Sequence, residues 1–254
     1  MDFRVVTIFP GMFDAFASFG IIRRAVESGC ITISAVDIRD YALGRHRVAD
    51  DRPYGGGSGM VMKPEPLSGA IRRAKEMSPG ARTILLSPQG RRFDQAEAQA
   101  LAGCRGIVFV CGRYEGVDER VYENDIDDEL SIGDYVLTGG ELAAMVVMDA
   151  VIRLIPGVLG NEQSSETDSF SDGLIEHAHY TRPRLFEGKS VPDVLLSGHH
   201  GEVEAWRLES SLIRTFLKRP DLLEKKRFSP AEKRILAKWA RTIDALVQND
   251  LENE

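Results

Sequence analysis

Three short apolar runs between residues 84 and 153 each end in a loop of small residues, and this repeated arrangement leaves few architectures open. Ile84-Leu85-Leu86 runs into Ser87-Pro88-Gln89-Gly90, and Ile107-Val108-Phe109-Val110 into Cys111-Gly112-Arg113-Tyr114-Glu115-Gly116. The third loop runs from Leu130 through Ser131-Ile132-Gly133-Asp134-Tyr135-Val136-Leu137-Thr138-Gly139-Gly140 into an almost wholly apolar segment. Short β-branched runs bounded by Gly and Pro read as buried strands. Open α/β sheets bind ligands at the loops that follow the carboxyl ends of neighbouring strands. Glycines there let a ligand approach the backbone, whose N–H and C=O groups become the recognition surface. The pattern predicts a small-molecule site without naming the molecule.

Alternating strands and helices up to Arg153 predict a mostly parallel α/β sheet. Strands are expected at 4–9, 31–36, 83–87, 107–111 and a short piece near 135–137. Helices are expected at 11–28, 66–75, 94–102 and 141–154. Thr138-Gly139-Gly140-Glu141 has the spacing of a capping box, with Thr138 as N-cap and Glu141 at N3. Leu142, Met145, Val146, Val147, Met148, Val151 and Ile152 leave that last helix little polar surface, so it belongs between layers or at a subunit interface. Residues 1–160 form the expected first domain. Residues 161–173 have linker composition, and 174–254 form a mainly helical second domain with helices near 201–218, 220–226 and 229–248. In the last of these, Ile235, Leu236, Trp239, Ile243 and Leu246 recur at helical spacing and read as core. The end, 250–254, reads as frayed.

The familiar nucleotide fingerprints are absent. No G-x-x-x-x-G-K-[ST] occurs, and Val5 to Phe9 ends in Pro10-Gly11-Met12-Phe13 rather than G-x-G-x-x-G. Gly55-Gly56-Gly57-Ser58-Gly59 lacks a lysine and is followed by Pro64 and Pro66, so it reads as a flexible connector. With 43% hydrophobic and 28% charged residues in 254, the composition is that of an ordinary globular protein. No stretch reaches the ~20 apolar residues of a membrane span, and Met1-Asp2-Phe3-Arg4-Val5-Val6 carries no signal-peptide pattern. Cys30, Cys104 and Cys111 form no C-x-x-C pair and fit a reduced, cytoplasmic protein.

The net charge of −7 is unevenly spread. Residues 1–181 carry 18 basic and 27 acidic side chains, residues 182–241 carry 14 and 8, and the last 13 residues carry 4 acids and no base. A basic excess confined to one region reads either as a polyanion-facing surface or as a solvated helix face. Arg214, Lys218, Lys225 and Lys226 are its candidate RNA contacts. His177-Ala178-His179 and His199-His200 are irregularly spaced and lack a cysteine partner. They read as loop histidines, and no closed metal cage is expected.

Several strings together resemble one family. They are Asp51-Arg52-Pro53-Tyr54-Gly55-Gly56-Gly57, Leu86-Ser87-Pro88-Gln89-Gly90, Cys111-Gly112-Arg113-Tyr114-Glu115-Gly116 and Ser131-Ile132-Gly133-Asp134-Tyr135-Val136-Leu137. Ile155-Pro156-Gly157-Val158-Leu159-Gly160, Asp168-Ser169-Phe170, His179-Tyr180-Thr181-Arg182-Pro183 and Val194-Leu195-Leu196-Ser197-Gly198 continue the series. In unbroken order over about residues 1 to 240, they resemble TrmD, the bacterial tRNA (guanine-N1-)-methyltransferases of the SPOUT class. Ser58 stands where that family usually has proline, and His199 where it usually has asparagine. The resemblance implies a trefoil-knotted, mostly parallel sheet with a small helical C-terminal domain. It also implies a homodimer with each active site shared between subunits.

The implied reaction methylates N1 of guanine at position 37 of tRNA, just 3′ of the anticodon. That nitrogen carries a proton and its lone pair is conjugated with the ring. The reaction therefore needs a general base, a stabiliser of charge on O6 and a sulfonium donor held in line. The resemblance gives Asp168 the first role and Arg153 the second. Read from the residues alone, Asp168 is one of several acids in a polar linker, and Arg153 equally suits the last carbonyls of its helix. S-adenosylmethionine would be held by backbone around Ile132, Gly133, Tyr135 and Leu137, with Gly112 and Pro88 packing nearby. Leu86, Ser87, Gly90, Tyr114, Ser131, Asp134, Val136, Gly139 and Gly140 complete the expected set. Glu115 faces either the positive end of that cofactor or a metal, since the family's reaction is helped by Mg²⁺. Two other readings compete: a non-catalytic RNA-binding protein of the same fold, and a nicotinamide oxidoreductase. Retention of Arg153, Asp168 and all three loops speaks against the first, and the missing fingerprint against the second.

Overall fold

A computed structural model describes residues 1–160 and 168–251, the side chains of 249–251 excepted. Residues 161–167, which hold half of the expected linker, and 252–254 of the expected frayed end lie outside the described residues. The chain divides into two compact units, Met1–Glu162 and Gln163–Glu254.

The strands of the first unit are β1 (Asp2–Thr7), β2 (Thr32–Asp37), β3 (Asp50–Asp51), β4 (Val61–Met62), β5 (Arg82–Arg92), β6 (Gly106–Cys111) and β7 (Asp128–Ser131). Its helices are α1 (Gly11–Ala17), α2 (Gly20–Glu27), α3 (Pro64–Met77), α4 (Gln95–Ala102), α5 (Glu119–Asp125) and α6 (Glu141–Ile152). Five strands form one sheet in the order β2-β1-β6-β5-β7, and every neighbouring pair in it is parallel. The expected α/β sheet is therefore present.

Parallel sheets covered on both faces need apolar residues at every position of their strands. The strand β6, Gly-Ile-Val-Phe-Val-Cys, is buried throughout. Its Ile107, Phe109 and Cys111 face one cluster with Phe3, Val5, Ile84 and Leu86, against which α1, α2, α4 and α6 pack. Val108 and Val110 face the other, with Val6, Leu85 and Leu67, Ala70, Ile71 and Ala74 of α3. Period-two alternation thus distributes one strand between two cores. Phe3 and Phe109 stack with ring centroids 6.4 Å apart.

Two local expectations are corrected, and two features are added. The strand expected near Tyr135–Leu137 is β7, ending at Ser131, because the ladder to β5 runs through Asp128–Leu130; residues 135–137 are loop. The single helix expected over 11–28 is broken, since Phe19 is extended (φ −128°, ψ 156°) and caps α2. The glycine-rich connector is bracketed by the β3–β4 hairpin. The helix α5 went unforeseen because its seven polar-rich residues bury only Val121.

The second unit holds a hairpin of β8 (Leu185–Phe186) and β9 (Lys189–Ser190) and three helices, α7 (His200–Lys218), α8 (Pro220–Lys225) and α9 (Pro230–Leu251). Leu212 and Thr215 of α7 are buried, and Trp239 donates its indole N–H to Glu209 at 3.0 Å. Ile243 and Leu246, expected as core, are 59% and 65% exposed, and the helix that α9 packs against is α7.

Replacing Phe109 by Ala should cost about 3–5 kcal/mol, since a fully buried ring leaves a cavity. Val136→Ala, at a residue 88% exposed, should stay within about 0.5 kcal/mol. Urea midpoints of the two variants check this; equal midpoints would contradict the packing described.

Candidate functional site

The strands β6, β5 and β7 are adjacent. The second and third loops leave the carboxyl ends of β6 and β7, and the first is the irregular stretch between Leu86 and Arg91 inside β5, which runs on to Arg92 beyond the expected end at Ser87. The loops enclose a cleft of about 530 Å³. The first contributes Leu86, Ser87 and Pro88, the second Gly112, Tyr114 and Glu115, and the third Ser131, Ile132, Gly133, Tyr135, Val136, Leu137, Gly139 and Gly140. Gly90 and Asp134, also expected there, do not line it. Gly90 has a packing reason instead: a Cβ there would stand 2.5 Å from the backbone of Glu129 and Leu130. It sits in the bulge where Leu86 and Arg91 both register with Leu130. Asp134 is exposed.

The loops are bonded to one another. Gly140 N–H donates to the Gly112 carbonyl at 2.9 Å, and Arg113 bridges Gly139 in antiparallel fashion. This approach excludes a side chain, since a Cβ on Gly140 would lie 2.8 Å from Cys111 Cα. The second loop is bonded in turn to the β4 end of the glycine-rich hairpin, through Glu115 N–H to Met60 O and Met62 N–H to Gly116 O, both at 3.0 Å.

Beneath them lies a buried ion pair that sequence reasoning missed. Glu141 is 1% exposed, and its Oε2 accepts from Arg113 Nε at 3.0 Å. Its Oε1 accepts from the buried Thr7 hydroxyl at 2.8 Å. Thr7 Oγ1 in turn accepts the Phe9 N–H at 2.9 Å, and the Arg113 guanidinium lies 4.5 Å from the Phe9 ring centroid. The expected capping box is thereby corrected. Gly140 is the N-cap and Glu141 the first helical residue, with no side-chain cap. A carboxylate at that position is near the positive end of the helix and still reaches Arg113. Burial, with the Glu141 carboxylate second, pushes the Cys111 thiol well above its ordinary range, while Arg113 opposes this.

Gln89, Arg113, Gly116, Val117, Glu119, Tyr122, Glu129, Thr138 and Ala143 also line the cleft and were not singled out. Glu119 and Tyr122 lie on the unforeseen helix α5, so no signal pointed to them. Gln89, Arg113, Gly116 and Thr138 lay inside the strings already picked out.

Arg153 and Asp168 are not among the cleft residues. Arg153 is the C-cap of α6, half-buried in the first unit. Asp168 belongs to the second unit, where it lines a separate cavity of about 220 Å³ with Asp172, Glu176, His177, Glu204 and Arg207. Among the expected RNA contacts, Lys218 and Lys225 are exposed. Arg214 is half-buried and donates to the Glu176 carbonyl at 3.2 Å. Lys226 is only 8% exposed, paired with Glu232 at 3.2 Å and bonded to the Asp172 carbonyl. Its ammonium is fully engaged within the unit.

A profile of the family described as tRNA (Guanine-1)-methyltransferase TrmD matches residues 1–225 of this chain. The chain belongs to this family. A tRNA (guanine-N(1)-)-methyltransferase of Desulfatibacillum aliphaticivorans is 58% identical to it over 248 residues, covering 98% of this chain and 95% of its own. Relatives of the same description are 57% identical in Geobacter sulfurreducens, over 95% and 98% of the two chains, and 53% in Staphylococcus carnosus, over 96% and 99%. The family is of the SPOUT class, and the parallel sheet with its clustered loops is the fold expected of it. Among the described residues, no helix is long and apolar enough to cross a membrane.

Glu141→Ala should destabilise the first unit by about 3 kcal/mol, because it strands Arg113 and Thr7 beside a cavity. Glu141→Gln, which keeps shape and one acceptor, should cost less. Chemical denaturation of both checks the order; a Gln variant as weak as the Ala variant would show that charge outweighs packing here.

Proposed function

We propose that the chain transfers the methyl group of S-adenosylmethionine to N1 of guanine 37 in tRNA, in the cytoplasm. The observation that carries this reading is the cleft formed by three loops of adjacent strands, in a chain of this family. Its size suits a small-molecule ligand of this kind. Its walls combine main chain from three loops with the carboxylates of Glu115, Glu119 and Glu129, a setting suited to a cationic ligand. S-adenosylmethionine, when bound, supplies an electrophilic methyl on a sulfonium centre. The trefoil threading of the second and third loops belongs to the same reading, and its support is the family's class.

Asp168 takes the N1 proton as general base, and Arg153 stabilises the negative charge that develops on O6 with a planar, permanently charged fork. A carboxylate is a weak base for this step, so stabilisation at O6 shares the work. Glu115, on the second cleft loop, would offer an oxygen donor to Mg²⁺, which would supply further stabilisation of the charge on O6. The active site is shared in a homodimer, the cofactor loops of one protomer meeting Asp168 of the partner subunit. Support comes from the outward face of α6, where Leu142 and Val146 are 50% and 49% exposed. Apolar side chains standing in water on a helix favour a second copy over them.

Asp168→Ala should lower methyl transfer by about 10²–10⁴-fold while leaving S-adenosylmethionine binding near normal by calorimetry. Arg153→Lys should also be impaired. Mixed with a variant disrupted at Gly133, Asp168→Ala should regain activity in verified heterodimers, since one of the two sites is whole. Normal turnover of Asp168→Ala, or no recovery on mixing, would overturn this reading.

The second unit's basic surface is the proposed tRNA-binding face. Reversing Lys218 and Lys225 to Glu should weaken tRNA affinity and lower the salt slope by roughly one unit for each phosphate that is no longer neutralised. Cofactor binding should be unchanged. An unaltered slope would identify the region as a solvated face.

A further inference from the structure

The segment preceding β8 brings together three metal-ligating side chains that the reaction above does not use. Glu176, His177 and His179 each offer one donor atom, and these donors lie within 4.8 Å of one another. His179 Nε2 stands 2.9 Å from Glu176 Oε1. The two imidazole rings are 4.5 Å apart between centroids, tilted by 45°.

The arrangement is held from behind. His177 Nδ1 lies 3.1 Å from the Ala178 carbonyl oxygen. With its proton directed there, Nε2 becomes the lone-pair atom of the ring, which is how metal-binding imidazoles are commonly oriented. Trp206 packs edge-on against His177 at 6.3 Å. The backbone is pinned as well: Glu176 N–H donates to Ser169 Oγ at 3.0 Å, Ala178 N–H to Ser210 Oγ at 3.1 Å, and Glu176 O accepts from Arg214. Glu176 and His177 also line the cavity that contains Asp168 and Glu204, and its one arginine, Arg207, is engaged by Glu204 at 2.6 Å. The surroundings favour a cation.

We propose that Glu176, His177 and His179 bind a divalent transition-metal ion of the zinc, cobalt or nickel type. Two imidazoles and a carboxylate suit such ions, whereas Mg²⁺ prefers oxygen donors alone. Donors around tetrahedral zinc lie about 3.3 Å apart, so donors already within 4.8 Å of one another need to close by no more than about 1.5 Å. His179 is 63% exposed, which leaves a fourth position for water or a substrate group. The proposal does not rest on the methyl-transfer reading, and Glu176 and His177 share their cavity with Asp168.

The test uses the full chain, stripped with chelator and titrated with Co²⁺, then with Zn²⁺ in competition. One equivalent should bind and give visible absorption of imidazole-ligated cobalt. His179→Gln, at an exposed position, should weaken binding about tenfold or more, and His177→Ala with His179→Ala should abolish it. His199→Ala with His200→Ala should leave it unchanged. Circular dichroism and thermal melting confirm that each variant is folded. No cobalt uptake by the wild-type chain, or undiminished affinity in folded His179→Gln, would overturn the proposal and reduce the cluster to an ion pair.

Discussion

The cleft depends on the ion pair between Glu141 and Arg113. A carboxylate that is 1% exposed is tolerable only where its oxygens are fully engaged, and here Arg113 takes one and Thr7 the other. The three residues come from the start of α6, the second loop and the end of β1, so one interaction joins three distant parts of the chain. Gly139 and Gly140 bring the third loop down onto it, where a Cβ at Gly139 would stand 2.3 Å from Arg113 Nε. The cleft walls are thereby set by close backbone approach over a charged floor. The loop backbone is held in place by contacts of the chain itself.

The same helix that begins at this ion pair divides the protein's apolar surface. Ala144, Val147, Met148, Val151 and Ile152 face the sheet core, while Leu142 and Val146 face outward. Its helical period cannot bury both faces within one sheet layer, which is why the proposed dimer is attached to this element. Arg153 ends the helix as its C-cap, on the same element that carries the exposed apolar face. The two proposed catalytic residues thus lie on different units of the chain, Arg153 on the first and Asp168 on the second.

In the second unit, charge was legible as a regional excess but not as individual contacts. Lys226 counts equally with Lys225 in a composition, yet one is buried between Glu232 and Asp172 and the other stands in water. Likewise, His177 and His179 appeared as loop histidines because Glu176 drew no notice beside them. Only the path of the backbone before β8 brings the three donors within reach of one another.

The sequence by itself determined the parallel sheet and the three loops of its cleft, but misplaced the last strand, which ends at Ser131, and the end of β5, which runs to Arg92. The sheet and its loops follow from local rules, since buried strands must be continuously apolar and the turns that end them need Gly or Pro. The start of α4 was equally local, with the Asp94 side chain accepting from Glu97 N–H at 2.9 Å. Tertiary structure alone decided what the charged residues do. Glu141 has the spacing of a cap and instead holds Arg113, because a partner 28 residues away offers two N–H donors where the local backbone offers one. Pairings of that kind depend on which strands become neighbours, and the order β2-β1-β6-β5-β7 is written in no short stretch of sequence.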